Sequence, residues 1–326
     1  MSRYSNQHNI ALPLAVFLAT DDYDHQPNVI SATALLRSTR QLVLTKRVNP
    51  EDNPIDIAGL VSSRMGSAIH AAIEKAWTNP KEALLKLGYP EHIADSVIVN
   101  PSSDEIKDNT KTIPVYMEQR VSKQIEGYTV SGKYDFVAEG IVQDFKSTSV
   151  YGYLNQTNKE KYALQGSIYK WLNPDIITKD YMIIHYIFTD WSSADAKRNN
   201  EYPQARVLSQ RIPLLSIEDT EDFIVNRLTA LKRYKDANET DIPFCDESEL
   251  WRKESVWKYY KNPNKTERST KTSSDKNEVF AKFVEDGSVG IIKEIKGEVV
   301  ACRYCSTFSV CTQKDSYLAT GELNID

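Results

Sequence analysis

Two aspartates and a lysine on a predicted β-hairpin could carry out metal chemistry. The turn signal Glu139-Gly140 separates two runs rich in β-branched and aromatic residues. Counting outward from a two-residue turn pairs residue 138 with 141 and, three steps on, places Asp135 opposite Asp144. Because side chains alternate along a strand, Lys146 shares a face with Asp144. One face of the hairpin is therefore predicted to present two carboxylates and an ammonium.

A face with two opposed carboxylates is expected to bind a cation. Directly opposed like charges lie about 4.5–5.5 Å apart at Cβ and destabilise a sheet. Mg²⁺ or Mn²⁺ held by Asp135 and Asp144 would relieve this repulsion, polarise a phosphate and lower the pKa of a bound water. With Lys146 steadying that water or the developing charge, the groups suit phosphodiester hydrolysis. The alternative is a solvent-exposed hairpin with scattered charges, which the apolar neighbours Phe136 and Phe145 disfavour; a longer turn would change the register.

The four cysteines form a second candidate group. Cys302, Cys305 and Cys311 make a C-x2-C-x5-C run, and the remaining cysteine is Cys245. This spacing is typical of a metal site rather than of a disulfide framework. Four thiolates suit either a structural zinc ion or an iron–sulfur cluster, and the spacing does not separate the two.

Helical and β patterns alternate in the segments that must position these groups. Apolar residues recur at helical spacing over residues 57–77, with His70 beside the stripe, and over residues 159–172 and 219–234; residues 82–87 are a further candidate helix. Residues 115–121, 128–138 and 141–146 are predicted to form a three-stranded meander, and residues 180–189 another strand. The polar stretch 258–277 is predicted to be a surface loop or a mobile segment.

The length and the net charge of the chain limit the classes of protein to which it can belong. A chain of 326 residues fits one main core plus an appended piece, so the predicted domains are an N-terminal segment 1–50, a core 51–240 and a C-terminal metal-stapled region 241–326. No stretch approaches the roughly 18–20 apolar residues of a membrane span, and the start is polar, so we expect a soluble intracellular protein. The net charge of −5 argues weakly against DNA as a partner, but basic residues can gather in patches away from an acidic site.

The motifs around the hairpin resemble the RecB-type branch of the PD-(D/E)XK nuclease superfamily. The resemblance covers roughly residues 65–169, and Tyr134 stands where the superfamily name has Pro. It implies a PD-(D/E)XK nuclease-like α/β core with a mixed central β-sheet flanked by helices. The matching motifs, in the order and spacing of that branch, are Gly66 to His70, Gly132-Lys133-Tyr134-Asp135, Asp144-Phe145-Lys146 and Gln165-Gly166-Ser167-Ile168-Tyr169.

The resemblance also implies roles for residues of the hairpin and of the preceding helix. His70, Asp135, Asp144 and the carbonyl of Phe145 would be ligands of Mg²⁺ or Mn²⁺, and Lys146 would position the water. For His70 the structural alternative is a hydrogen-bonded histidine with no ligand role.

Residues of the following helix and of the preceding strand are weaker candidates. By the same resemblance, Gln165 and Tyr169 would support the site or the DNA strand, although their spacing is one that any amphipathic helix offers. Glu118 lies on the strand before the hairpin and is a weaker candidate ligand.

The cysteine spacing resembles iron–sulfur-stapled members of the same branch, in which the last three cysteines follow the nuclease core. In the better-known members the first cysteine precedes the core, whereas Cys245 follows it here, as in phage-encoded nucleases of this type. The resemblance implies a [4Fe–4S] cluster, with structural Zn²⁺ as the alternative. Such a centre would hold a basic segment where it could contact phosphates; its residues are Lys258, Lys261, Lys265, Arg268, Lys271 and Lys276.

The sequence therefore predicts a metal-dependent DNA exonuclease of phage or bacterial recombination or end processing. Its expected location is the cytoplasm of a bacterial cell or an infected host. A catalytically inactive nucleic-acid-binding module and a structure-specific endonuclease stay open as alternatives. The presence of Asp135, Asp144 and Lys146 together disfavours the inactive module.

Overall fold

Contacts divide the chain into two compact units. The structure is a computed structural model that describes residues 4–20, 26, 28–49, 54–108 and 111–325. Unit 1 comprises Met1–Leu36 and Asn53–Ala230, and unit 2 comprises Arg37–Asp52 and Leu231–Asp326. The predicted domain boundary between residues 50 and 51 lies outside the described residues. The division into domains 1–50, 51–240 and 241–326 stays a prediction.

Regular elements occur throughout the described residues. The α-helices are α1 (Leu12–Ala19), α2 (Ala32–Leu35), α3 (Thr39–Leu44), α4 (Val61–Trp77), α5 (Lys81–Lys86), α6 (Glu91–Ser96), α7 (Ser103–Asp108), α8 (Val150–Leu154), α9 (Lys159–Leu172), α10 (Ser193–Arg198), α11 (Ile217–Tyr234), α12 (Lys276–Glu285) and α13 (Gln313–Thr320). The β-strands are β1 (Tyr4–Ser5), β2 (Val29–Ser31), β3 (Ile55–Asp56), β4 (Val97–Val99), β5 (Ile113–Met117), β6 (Arg120–Ile125), β7 (Tyr128–Lys133), β8 (Phe136–Ala138), β9 (Ile141–Thr148), β10 (Tyr181–Phe188), β11 (Val207–Pro213), β12 (Val256–Tyr260), β13 (Lys271–Ser273) and β14 (Ile291–Ile295).

A six-stranded mixed sheet forms the centre of unit 1. Its strand order is β11-β10-β9-β8-β5-β4, with β9–β10 and β4–β5 parallel and the other pairs antiparallel. Alternate residues of β10, from Met182 to Phe188, are buried on the face that α9 covers. Helix α4 packs against β9. The prediction of an α/β fold with a mixed sheet flanked by helices is confirmed at this level.

Two Glu-Gly turns set the register of the strands around the site. Glu126-Gly127 and Glu139-Gly140 have positive φ at both residues, 51° and 79° in the first and 53° and 77° in the second. A two-residue hairpin turn of type I′ needs this conformation at both positions, and glycine adopts it without a steric cost. The second turn pairs Ala138 with Ile141, Val137 with Val142 and Phe136 with Gln143. The register predicted from Glu139-Gly140 is confirmed over these three pairs.

The predicted three-stranded meander is wrong, because two of its strands divide between two sheets. Residues 115–121 contribute to β5 and β6, and residues 128–138 to β7 and β8. Strands β5 and β8 belong to the six-stranded sheet, whereas β6 and β7 pair with each other and β7 with β2 in a separate three-stranded sheet. The chain bends at Glu118, where φ is 52°, and opposite it at Asp135. The preceding residue, Tyr134, is fully buried and donates its hydroxyl to Gln119 Oε1 (2.8 Å).

The predicted helices and the strand after the hairpin are confirmed. Residues 57–77 form a short 3-10 turn followed by α4, and residues 159–172 are α9 with the predicted bounds. Helix α9 buries Ile168, Trp171 and Leu172 as expected from their spacing. The other elements of this set, residues 82–87, 180–189 and 219–234, correspond to α5, β10 and α11.

Unit 2 contains an antiparallel sheet in the order β13-β12-β14. The stretch 258–277, predicted to be a loop or a mobile segment, begins within β12 and includes β13, so that prediction is wrong at both ends of the stretch. Its polar composition concealed one fully buried side chain, Tyr259, whose backbone carbonyl accepts a hydrogen bond from Thr270 N (2.7 Å). Burial of the Tyr259 ring against Phe283 of α12 stabilises these strands.

Candidate functional site

Three carboxylates come level with one another across adjacent strands. Met117 pairs with Phe136, and Glu118 N donates to Asp135 O (3.2 Å), which places Glu118 beside Asp135. On the other side, Phe136 pairs with Gln143, so Asp135 is level with Asp144. We refer to Glu118, Asp135 and Asp144 as the acidic row. It lies where the chain bends out of the six-stranded sheet.

His70 of α4 closes one side of the acidic row. Its Nδ1 lies 3.3 Å from Asp135 Oδ2, and its Nε2 lies 2.7 Å from the carbonyl oxygen of Phe145. Ligand atoms of His70, Glu118 and Asp135 all lie within 4.8 Å of one another. The close approach of α4 to β9 makes this possible, since a Cβ on Gly66 would lie 3.2 Å from Ser147 Oγ.

The oxygens around His70 favour the protonated form of its ring. The hydrogen bond to Asp135 raises the pKa of His70, although burial opposes the shift. Burial would raise the pKa of Asp135, but the hydrogen bond and the charge of His70 outweigh it, so this pKa is lowered. Both imidazole nitrogens of His70 face oxygen acceptors, which only the doubly protonated ring satisfies. These oxygens thus favour positive charge at this place, which a bound cation would also supply.

Backbone and ring contacts hold Phe145 in place. Its N–H donates to Asp135 Oδ2 (3.2 Å), which ties the acidic row to β9. Its ring stacks on His185 at 5.5 Å and lines an apolar cavity of about 630 Å³ together with Trp77 and Phe136. The carbonyl that His70 contacts is therefore fixed from both sides of the strand.

Asp144 is the most deeply buried member of the acidic row. It is 1% exposed, and its Oδ2 lies 2.5 Å from Lys146 Nζ. Apart from this ammonium, Oδ2 has no hydrogen-bond partner among the described residues. Burial raises the pKa of Asp144 to about 6, with the charge of Asp135 adding to the shift and that of Lys146 opposing it. A buried carboxylate with so little compensation is stabilised by any further positive charge.

Lys146 stays a cation in this environment. Burial alone would lower its pKa, but the charges of Asp144 and Asp135 outweigh that effect and raise it. Its Nζ also lies 5.5 Å from the centre of the Tyr162 ring on α9. Tyr162, which the sequence did not single out, is thus the side chain of α9 that contacts the charged group of the site.

Gln165 and Tyr169 lie on α9 and contact each other. Both are buried, and Gln165 Nε2 donates to Tyr169 Oη (2.9 Å). The Tyr169 ring packs so closely on β7 that a Cβ on Gly132 would lie 2.9 Å from it, and it meets the Tyr134 ring edge-on at 6.5 Å. The pair therefore packs behind the bend that presents Asp135. Their predicted supporting role stays a prediction.

The structure makes Glu118 a stronger candidate metal ligand than the sequence did. It forms an ion pair with Lys133, and burial raises its pKa. The signal that could have found it is the first Glu-Gly turn. Counting outward from Glu126-Gly127 pairs Ile125 with Tyr128 and continues in one register to Glu118 opposite Asp135.

The four cysteines all belong to unit 2. They are half-buried free thiols. Cys302 lies in a 3-10 turn (Ala301–Tyr304) that Cys305 directly follows, and Cys311 directly follows a second such turn, Phe308–Val310. Burial raises the pKa of Cys245 and of Cys302 to about 11, and the charges of Cys305 and Cys311 add to both shifts, as expected when these thiols share one neighbourhood. Among these fully described residues, no three sulfurs lie within 4.8 Å of one another.

Among the described residues, no helix combines the length and the apolar character needed to cross a bilayer.

A scan against protein-family models found no match, and a search of curated proteins found none either. A search of solved structures found similar chains. The crystal structure of SSO0001 is 16% identical, with 64% of this chain and 78% of that chain covered and a TM-score of 0.37. A phage related exonuclease from Haemophilus somnus 129PT is 15% identical, with 52% of this chain and 83% of that chain covered and a TM-score of 0.26. At these TM-scores, neither structure establishes the fold or the activity of this chain.

Proposed function

We propose that unit 1 is a nuclease that hydrolyses phosphodiester bonds of DNA with Mg²⁺ or Mn²⁺. The observation that carries this proposal is the acidic row, with buried Asp144 against Lys146 and with Asp135 against His70. Three carboxylates on neighbouring strands repel one another. Their placement beside an ammonium is difficult to explain as packing and is what a cation-assisted displacement at phosphorus needs.

The residues present fit a hard divalent cation. Carboxylate and carbonyl oxygens are the ligands that Mg²⁺ prefers, at about 2.0–2.1 Å, so two ligands of one ion lie up to about 4 Å apart. His70, Asp135 and Glu118 have ligand atoms within 4.8 Å of one another and, with the carbonyl of Phe145, would hold it. Asp144 lies outside that compact group and would join it as the resemblance to RecB-type nucleases implies. The bound ion would polarise the scissile phosphate and lower the pKa of an attacking water.

Lys146 supplies charge rather than basicity. Because Asp144 and Asp135 raise its pKa, the ammonium stays protonated and can donate hydrogen bonds to the water or to a phosphate oxygen. Asp144 orients this ammonium through the 2.5 Å contact. The Tyr162 ring on the other side restricts where the lysine side chain can move.

DNA as the substrate and exonuclease action follow from the resemblance of the motifs to RecB-type nucleases. In unit 2, the basic segment supplies exposed cations such as Lys265 and Arg268, which suit contacts to phosphates. Neither Lys265 nor Arg268 belongs to the acidic row. The negative net charge of the chain is therefore compatible with a local basic surface.

The decisive experiment compares purified protein on end-labelled linear DNA and on covalently closed circular DNA, with Mn²⁺ and with a chelator. We expect metal-dependent loss of the linear DNA and survival of the circle. Cleavage of the circle would favour the endonuclease alternative. Tight binding of DNA without cleavage in either Mg²⁺ or Mn²⁺ would overturn the nuclease and favour a binding module.

We also propose that the four cysteines hold one metal centre in unit 2, a [4Fe–4S] cluster in preference to Zn²⁺. Four ligands at about 2.3 Å around one tetrahedral zinc lie roughly 3.8 Å from one another. In any three of these sulfurs, at least one pair is farther apart than 4.8 Å. The preference for a cluster rests on the resemblance of the cysteine spacing to iron–sulfur-stapled nucleases, since four thiolates suit either kind of centre.

A further inference from the structure

Three side chains of one short segment reach three different cysteine sulfurs. The segment is Ser38 to Gln41, at the start of α3, and both it and the cysteines belong to unit 2. The contacts are Ser38 Oγ to Cys245 Sγ (3.3 Å), Arg40 Nε to Cys311 Sγ (3.1 Å) and Gln41 Nε2 to Cys305 Sγ (3.3 Å). The residues come from a part of the chain that is about 200 positions or more from the cysteines they contact.

The chemistry of these donors matches thiolates better than thiols. A guanidinium and the NH₂ of an amide can only donate, and a neutral thiol is a weak acceptor. A thiolate, free or bound to a metal, carries the negative charge that makes such hydrogen bonds short and strong. Arg40 and Gln41 therefore face groups that become good acceptors only after the cysteines lose their protons.

Several buried contacts fix the position of Arg40 beside Cys311. It is 1% exposed, forms an ion pair with Glu239 and donates to the carbonyl of Ile242 (2.9 Å). Glu239 in turn accepts from the backbone N–H of Thr312 (2.9 Å), next to Cys311. A fully buried guanidinium is costly unless negative charges surround it. Glu239 supplies one such charge, and the sulfur of Cys311 would supply another.

We propose that Ser38, Arg40 and Gln41 form the hydrogen-bonding shell of the four-cysteine centre, each positioning a different sulfur. The inference rests on the metal centre proposed above and adds residues that do not bind the metal themselves. The donors withdraw electron density from the sulfurs and offset the negative charge that four thiolates bring to one place. They therefore slow the loss of the metal and lower the energy of the sulfur lone pairs.

The test uses Gln41→Met and Arg40→Lys in the full-length chain. Met preserves the length of Gln41 and leaves its backbone N–H on Ser38 Oγ (3.0 Å), so α3 keeps its N-terminal hydrogen bond. Lys preserves the charge of Arg40 without its planar fork. Arg37→Met is the matched control, since Arg37 directly precedes the segment and donates to Thr45 Oγ1 (3.3 Å). Metal content, the rate of metal loss to a chelator and the sulfur-to-metal charge-transfer absorption are measured, the last after Co²⁺ replacement if the native metal is zinc.

We expect Gln41→Met to fold with a full complement of metal, to lose it about ten-fold faster or more, and to shift the charge-transfer band to longer wavelength. Arg40→Lys should show the same shifts in smaller measure, and Arg37→Met should match the wild type. If the wild type holds metal and both variants keep its release rate and its band position, the hydrogen-bonding shell is refuted while the centre stands. If the wild type purified without oxygen holds no metal, the centre itself is refuted and the shell with it.

Discussion

Asp144 and Lys146 form a buried ion pair that has an exposed counterpart elsewhere in unit 1. Asp144 Oδ2 lies 2.5 Å from Lys146 Nζ, and Asp180 Oδ1 lies at the same distance from Lys170 Nζ. The side chain of Asp144 is 2% exposed, whereas that of Asp180 is 93% exposed. The two pairs share their chemistry and separation but differ in burial and surroundings, so they provide a matched comparison.

Asp144→Asn should abolish DNA cleavage, with a loss of more than about 100-fold, because the amide cannot replace an anionic metal ligand. Lys146→Met should have a similar effect, since it removes the charge beside the water. Asp180→Asn should cut DNA at the wild-type rate. Rates are measured on linear DNA with Mn²⁺, and circular dichroism checks the fold. Wild-type cleavage by Asp144→Asn, free of contaminating nuclease, would show that the hairpin does not carry the chemistry.

Glu118→Gln should weaken Mn²⁺ binding by about 10-fold to 100-fold, because Glu118 shares a cluster with His70 and Asp135. Its ion pair with Lys133 is also lost, so thermal unfolding is followed in parallel. The matched control is Glu126→Gln, in the turn between β6 and β7. Isothermal titration calorimetry gives the dissociation constants. Equal Mn²⁺ affinity in Glu118→Gln and in the wild type would leave Glu118 with a structural role only.

Stabilisation by Mn²⁺ should grow as the pH rises through about 6. In the metal-free protein the folded-state pKa of Asp144 is raised to about 6, above its ordinary value of 3.8. The protonated carboxyl therefore contributes stability that is fully present below the unfolded value and is lost as pH rises through the folded value. A cation binds only the ionised form, so it restores stability above about pH 6 and has little effect near pH 4.

The measurement is the unfolding temperature with and without Mn²⁺ at several pH values. We expect the difference to increase between pH 5 and pH 8. The raised pKa of His70 acts in the same direction, because this ring must lose a proton before it binds a cation. In Asp144→Asn the step near pH 6 should vanish. A Mn²⁺ effect independent of pH would contradict the assignment of the metal to this carboxylate.

Tyr169→Phe and Gln165→Ala should reduce activity in a graded way rather than abolish it. Removing the Tyr169 hydroxyl leaves the buried amide of Gln165 without this acceptor, at a cost of about 1–3 kcal/mol in the free energy of unfolding. A double mutant, Gln165→Leu with Tyr169→Phe, should be less destabilised than the sum of its single changes. Urea unfolding and steady-state kinetics follow both effects. Wild-type kinetics over a range of DNA concentrations would place this part of α9 away from any role in cleavage.

Cys245→Ser should reduce the metal content and loosen unit 2 before it affects cleavage by unit 1. Binding free energy at such a centre is also folding free energy, so losing one ligand loosens the segments that the centre joins. Protein purified without oxygen should be brown, with broad absorbance near about 400 nm and equal amounts of iron and sulfide. Hydrogen exchange compares the loosening in the variant and in the wild type. A colourless preparation with one zinc per chain would replace the cluster with zinc, and four freely reactive thiols in folded, metal-free protein would contradict both.

The sequence by itself determined the features that depend on neighbours in the chain. Each Glu-Gly turn needs only its own two residues to adopt positive φ, and each sets the pairing of the strands beside it. Counting from Glu139-Gly140 was enough to bring Asp135 level with Asp144 and to place Lys146 on the same strand. Helix α9 was predictable for a similar reason, because apolar residues at helical spacing mark its buried face.

Only the tertiary structure decided how these pieces meet. The bend at Asp135 divides one β pattern between two sheets, because the fully buried ring of the preceding Tyr134 packs against α9, which follows later in the chain. The same bend brings Glu118 into the acidic row, and α4 adds His70 from 65 residues before Asp135. In unit 2, Arg40 contacts Cys311 across 271 positions. Contacts between residues this far apart leave no local pattern in the sequence, because they depend on which surfaces pack together once the elements have formed.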